Sequence, residues 1–111
     1  MPTTMTSQGE ITVLTVGGYF AGPESSAFRS AAQRALDSGT RDVVVELSGI
    51  TGVDSTGLEA LTWLQRTCLE RLGMVKLAGV PDALERVLAL TRLSSQFDGH
   101  WSVDEAVASL R

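Results

Sequence analysis

The chain has little of what metal, disulfide and nucleic-acid chemistry require. Its single cysteine, Cys68, has no partner for an internal disulfide, and with His100 the only histidine there is no zinc-type ligand spacing. Lysine occurs once, at Lys76, and nine basic residues face 13 acidic ones for a formal charge of −4. That balance is wrong for a surface that tracks phosphate backbones. No apolar run nears the roughly 20 residues that cross a bilayer, and the opening MPTTMTSQG lacks the basic start and apolar centre of a secretory signal. Expectations are therefore no metal, no nucleic acid, no direct membrane insertion, and a cytoplasmic location. What remains is a 111-residue chain, 43% hydrophobic and 20% charged, with room for one globular domain and one modest core.

Residues 1–9 show no periodicity and are expected to form a flexible N-terminal tail. In EITVLTVGGYF, Ile11, Val13 and Val16 suit a strand that turns or bulges at Gly17-Gly18 before a short second strand with Tyr19 and Phe20. PESSAFRSAAQRALDSG reads as a helix with Pro23 near its first position and an apolar face of Ala27, Phe28, Ala31, Ala32, Ala35 and Leu36. The run Val43, Val44, Val45 and Leu47 suits a central strand covered on both faces. After a loop over SGITGVDST, Leu58, Leu61, Leu64, Cys68, Leu69 and Leu72 form a stripe at helical spacing over residues 57–72. MVKLAGV supplies another strand, and Pro81 and Asp82 open a helix with Leu84, Val87 and Leu88 inward. An edge strand is expected near Phe97 to Trp101, with Trp101 covering the sheet edge. A last helix begins at Ser102 and Glu105 in capping-box spacing. This alternation implies an α/β fold with a mostly parallel mixed sheet and packed helices.

The join between the central strand and the leucine helix carries the candidate chemistry. Ligand sites in such sheets lie beyond the carboxyl ends of the strands. There Thr56 and Glu59 have capping-box spacing, Gly57 permits a tight turn, and Ser55 stands at or just outside the cap with an accessible hydroxyl. Three readings compete. The stretch Asp54-Ser55-Thr56-Gly57 is helix capping alone, or Ser55 is a nucleophile, or Ser55 is modified. A nucleophile needs a base and an orienting group; His100 is 45 positions away, and the sequence lacks a Gly-x-Ser-x-Gly elbow. No phosphate-binding Gly-x-x-x-x-Gly-Lys follows a strand. Phosphorylation would instead add roughly −1.5 to −2 charges at a helix N-terminus, where backbone N–H groups tolerate an anion. Trp63 lies roughly opposite the leucine stripe, as an exposed interface anchor or packed beneath a neighbouring helix. Cys68, inside the stripe, reads as a small buried hydrophobe.

VVVELSGITGVDSTGLEAL, GMVKLAGVPDALERVLALTRL and the closing SVDEAVASL, in this order of elements, resemble the STAS domain, most closely the bacterial anti-sigma factor antagonists. The resemblance implies a single STAS domain over residues 10–111 with no cofactor and no enzymatic role. It implies a partner anti-sigma factor of the ATP-dependent serine kinase type, bound when the domain is unphosphorylated and released by phosphorylation at Ser55. A serine phosphatase would reverse the step, ATP would belong to the kinase, and sigma-factor-dependent transcription would be the process regulated. Carried over residue by residue, the partner-binding positions are Asp54, Ser55, Thr56 and Gly57, to which Trp63 is added as a candidate anchor. A homodimer is compatible with the family. One departure is clear: where members often read Gly-x-Leu-Asp before the first helix, this chain has GYFAGPE, with Phe20 in the leucine position and Ala21 in place of the acid. The alternative is a non-switching adaptor in a stressosome or in a membrane lipid or anion transport complex.

Overall fold

A computed structural model describes residues 3–100 and 102–111. Five strands form one mixed sheet in the order β1-β2-β3-β4-β5. They are β1 (Thr3–Gln8), β2 (Ile11–Phe20), β3 (Asp42–Val53), β4 (Val75–Ala78) and β5 (Asp98–His100). β1 runs antiparallel to β2, and every other neighbouring pair is parallel. The helices are α1 (Gly22–Asp37), α2 (Ser55–Glu70), α3 (Asp82–Leu90) and α4 (Val103–Ser109), with a short 3-10 turn at Ser94–Gln96.

The alternation of side chains along β3 divides the interior. Val43, Val45 and Leu47 join Phe28, Leu36, Leu61, Leu64 and Leu84 in the larger core under α1, α2 and α3. Val44 faces the other way, where Ile11, Val13, Ala106 and Val107 form a smaller core under α4. Phe20 and Phe28 meet edge to face at 5.2 Å between ring centroids, which locks the end of β2 onto α1.

Several expectations are corrected. Residues 1–9 are not a tail along their length, because Thr3–Gln8 pair with β2 from Thr3↔Val16 to Gln8↔Ile11. The β-branched Thr3, Thr4 and Thr6 suit a polar edge strand that has no apolar alternation to reveal it. The antiparallel hairpin is thus β1–β2, while Gly17-Gly18 bulges one continuous strand, with register shifts on either side of the pair. Gly18 takes φ 74°, open to glycine at no cost. Beyond the bulges Gly17 to Phe20 still pair with Gly49 to Val53, so most of the expected loop after Leu47 is strand. The helical stripe is shorter than expected: Leu69 lies in the last turn of α2 yet is 56% exposed, and Leu72, beyond the helix end at Glu70, is 89% exposed. Ala27 is exposed on α1. β5 is the expected edge strand; Trp101 and its placement over the sheet edge lie outside the described residues.

Candidate functional site

The site is built where β3 gives way to α2. Asp54 follows the last residue of β3 in an extended conformation and caps α2. Its Oδ1 accepts from the backbone N–H of Thr56 at 2.9 Å, from that of Gly57 at 3.1 Å and from the Thr56 hydroxyl at 2.7 Å. These bonds satisfy donors that an α-helix start leaves open. The cap is therefore Asp54, and the expected Thr56–Glu59 capping box is corrected: the helix starts at Ser55, and the Asp54 carboxylate takes the Thr56 N–H that Glu59 would have to reach. The Thr56 hydroxyl, followed by the N–H groups of Gly57 and Thr56, holds the Asp54 carboxyl below the usual carboxylate range against the opposing effect of desolvation.

Thr56 also links two helices. Its Oγ1 accepts from the backbone N–H of Gly22 at 3.0 Å, the first residue of α1. Ala21, at the cap position of α1, offers no side-chain acceptor, so a hydroxyl from α2 takes on part of that task. Ser25 closes the turn by donating to the Gly22 carbonyl at 2.8 Å, with its hydroxyl 3.5 Å from that of Thr56. Gly57 is buried beneath this joint. A Cβ there would collide with the Phe20 carbonyl oxygen and lie 2.8 Å from Val53 Cγ2, so α2 approaches the end of β2 as closely as it does only because position 57 has no side chain.

Held by this frame, Ser55 occupies the first position of α2 and is exposed. Among the described residues its hydroxyl has no hydrogen-bond partner. It opens onto a groove of about 430 Å³ that runs along α2 past Glu59, Trp63 and Arg66, with Arg29 of α1 and Leu93 on its sides. Trp63 is half-buried: it packs against the large core, and the Arg29 guanidinium lies 5.2 Å over its ring, a cation–π arrangement. The structure thus brings Asp54, Ser55, Thr56 and Gly57 into one joint and sets Trp63 two helical turns further along the same groove. Arg29, Arg66 and Leu93 were not expected from the sequence. Arg29 stands 34 positions before Trp63, and only the packing of α1 on α2 reveals the pairing.

At the same carboxyl end of the sheet a smaller apolar notch of about 240 Å³ lies between Tyr19, Ile50, Val53, Pro81 and Leu84. Cys68 is fully buried, and burial pushes its thiol up to about 11. His100 belongs to β5, two strands from β3, and its side chain lies outside the described residues. Among the described residues no cluster of three or more His, Cys, Asp or Glu side chains has the arrangement of a metal site, and no helix is long and apolar enough to cross a membrane.

No curated protein sequence matches the chain significantly. Among solved structures, a proposed anti-sigma factor antagonist of Thermotoga maritima superposes with a TM-score of 0.90 at 19% identity, over 98% of this chain and 94% of that one. The anti-sigma factor antagonist SpoIIAA in its unphosphorylated form gives 0.86 at 15% identity, over 98% and 96%. The Bacillus cell-fate determinant SpoIIAA in its phosphorylated form gives 0.80 at 14%, over 98% and 99%. At these identities the likeness establishes the fold. The family model described as "Mlab, STAS domain" matches residues 3–97, and on that match the chain belongs to the STAS domain family.

Proposed function

We propose that this protein is an anti-sigma factor antagonist: unphosphorylated, it binds an anti-sigma factor of the serine kinase type, and phosphorylation of Ser55 releases that partner. The observation that carries this reading is the state of Ser55, an exposed, unpartnered hydroxyl at the first position of α2. Its neighbours Asp54 and Thr56 are both committed to holding the backbone. A kinase can reach Ser55 without unfolding anything. A phosphate there lies at the helix end whose dipole favours an anion, while the Thr56 and Gly57 N–H groups stay on Asp54, so the charge changes the surface and leaves the frame in place. The architecture shared with SpoIIAA, solved in both phosphorylation states, supports the same reading. The domain acts as substrate and binder, ATP belongs to the kinase, and a serine phosphatase resets the switch.

A phosphate set against an acidic group of a partner costs several kcal/mol, and each ~1.4 kcal/mol is tenfold in affinity. The test is calorimetric titration of the anti-sigma kinase recovered with wild-type protein from native lysate, comparing wild type, Ser55→Ala and Ser55→Glu, together with mass spectrometry of Ser55. The expected result is phosphate on Ser55 and at least a tenfold loss of affinity for Ser55→Glu, with Ser55→Ala near wild type. Equal affinity for all three variants and an unmodified Ser55 would replace the switch with a constitutive adaptor.

A further inference from the structure

The groove beyond Ser55 has a charge of its own. In a chain of net charge −4, its lining carries two guanidinium groups, Arg29 and Arg66, against one carboxylate, Glu59. Among the described residues neither arginine lies within ion-pair distance of a carboxylate. Arg29 lines the groove and is instead held over the Trp63 ring, a stacking for which its planar guanidinium is suited. Trp63 and Leu93 supply apolar surface beside the two cations. At the start of α1, position 21 is Ala, and Glu24 in the first turn is not among the residues that line the groove.

We propose that the Arg29–Trp63–Arg66 stretch of this groove receives an acidic, partly apolar segment of the protein partner, with a carboxylate paired to the guanidinium groups and an aliphatic side chain against Trp63. The inference rests on the reading of the Ser55 face as a protein-docking surface, and it names the chemistry of what docks. It also separates two tasks along one helix. Ser55 and Arg66 are 11 positions apart, roughly 16 Å at the rise of an α-helix, about twice the ~8 Å screening length at physiological salt. The arginine end selects the partner by charge, while phosphate at Ser55 acts on contacts at its own end.

The test uses the purified, isotopically labelled protein and two synthetic peptides, one rich in glutamate and leucine and one with lysine in every glutamate position. The acidic peptide is expected to shift the Trp63 indole N–H and the amides of residues 58–66, to bind about tenfold or more tightly than the lysine peptide, and to weaken as salt is raised. Arg66→Glu, on an exposed position, and the double variant with Arg29→Glu are expected to reverse the preference, with unchanged circular dichroism as the folding control. Equal binding of the two peptides, absence of binding by both, or shifts that spare residues 58–66 would overturn the proposal. So would an anti-sigma kinase that binds wild type and the double variant equally. If the peptide results hold while no anti-sigma kinase binds wild type, the acid-selective surface stands and the antagonist reading falls.

Discussion

Asp42 and Asp54 stand at the two ends of β3, one opening the strand and the other following it, and they do different work. Asp42 is 3% exposed. Its Oδ1 accepts from the Met74 N–H at 3.0 Å, and its Oδ2 pairs with Arg41 at 2.7 Å, while Arg41 also reaches Glu10 at 3.0 Å. These contacts tie β2, β3 and the approach to β4 into one edge. Asp54 is only half-buried, and all the hydrogen bonds of its carboxylate go to the next three residues. The amino end of the strand is closed by contacts between distant segments. The carboxyl end has long-range ties as well, from the Gly22 N–H to the Thr56 hydroxyl and from the Asp54 N–H to the Phe20 carbonyl, but there the carboxylate acts only on the adjoining helix start, and Ser55 and the groove beside it stay open. In parallel sheets binding sites gather at the carboxyl ends of strands, and here the two aspartates show how one strand serves both purposes.

The sharpest way to break this comparison is to fill the joint. Gly57→Val places a branched side chain against the Phe20 backbone carbonyl, which cannot move aside, and against Val53. Overpacking of this kind costs about 3 kcal/mol. A urea unfolding curve with an unchanged slope and a midpoint near wild type would show that α2 does not sit on β2 as closely as described. Next in size is Asp42→Ala, which strands the Met74 N–H and releases Arg41. Loss of a buried charge-assisted hydrogen bond predicts about 2 kcal/mol by the same measurement, with binding at the Ser55 face unaffected. A binding defect without a stability defect would erase the division between the two ends.

How much of this was legible in the sequence follows from how far each interaction reaches. The Asp54 region could be read as a helix start because every partner of its carboxylate lies within three residues, although the sequence alone assigned the cap to Thr56. The apolar run Val43 to Leu47 and the capping pair Ser102 and Glu105 were legible for the same reason; the Ser102 hydroxyl accepts from the Glu105 N–H at 3.2 Å. The second half of β3 was not. Its Gly49 and Gly52 read as loop residues, and only the bulged partner β2 keeps them in register. β1 was missed because a strand of Thr, Ser and Gln at an edge buries too little to leave a pattern. Periodicity does not show where a helix stops, which is why Leu72 reads as part of the stripe although it lies beyond the end of α2, nor whether the last turn still has anything to pack on, as at the exposed Leu69. The link from Thr56 to Gly22 and the stacking of Arg29 on Trp63 each span 34 positions, beyond any local signal.

A smaller effect than that of Asp42→Ala is expected from Asp54→Ala, and pH should imitate it. The Asp54 carboxyl is depressed in the folded state by the Thr56 hydroxyl and the backbone N–H groups of Gly57 and Thr56. Its contribution is therefore complete above the ordinary Asp value near ~3.9 and is lost as pH falls through the lowered folded value. Carbon-detected titration of the Asp54 carboxyl should place its midpoint below that of an unfolded peptide. The loss of stability on acidification should be smaller in Asp54→Ala than in wild type. An ordinary midpoint would mean that the cap is not formed in solution.

The smallest expected effect on stability decides how the largest effect on binding is to be read. Ser55→Glu puts a negative charge at the first position of α2, in solvent and beside helix N–H groups that favour it. The unfolding free energy should stay within about 0.5 kcal/mol of wild type, in contrast to Gly57→Val two residues away. A loss of partner affinity would then belong to the charge itself, because the frame built by Asp54, Thr56 and Gly57 is intact. If Ser55→Glu instead destabilised the protein as Asp42→Ala does, the hydroxyl would be part of the closure of the joint. The carboxyl end of β3 would then resemble the amino end, and the loss of binding would reflect a disturbed surface where the switch requires a charged one.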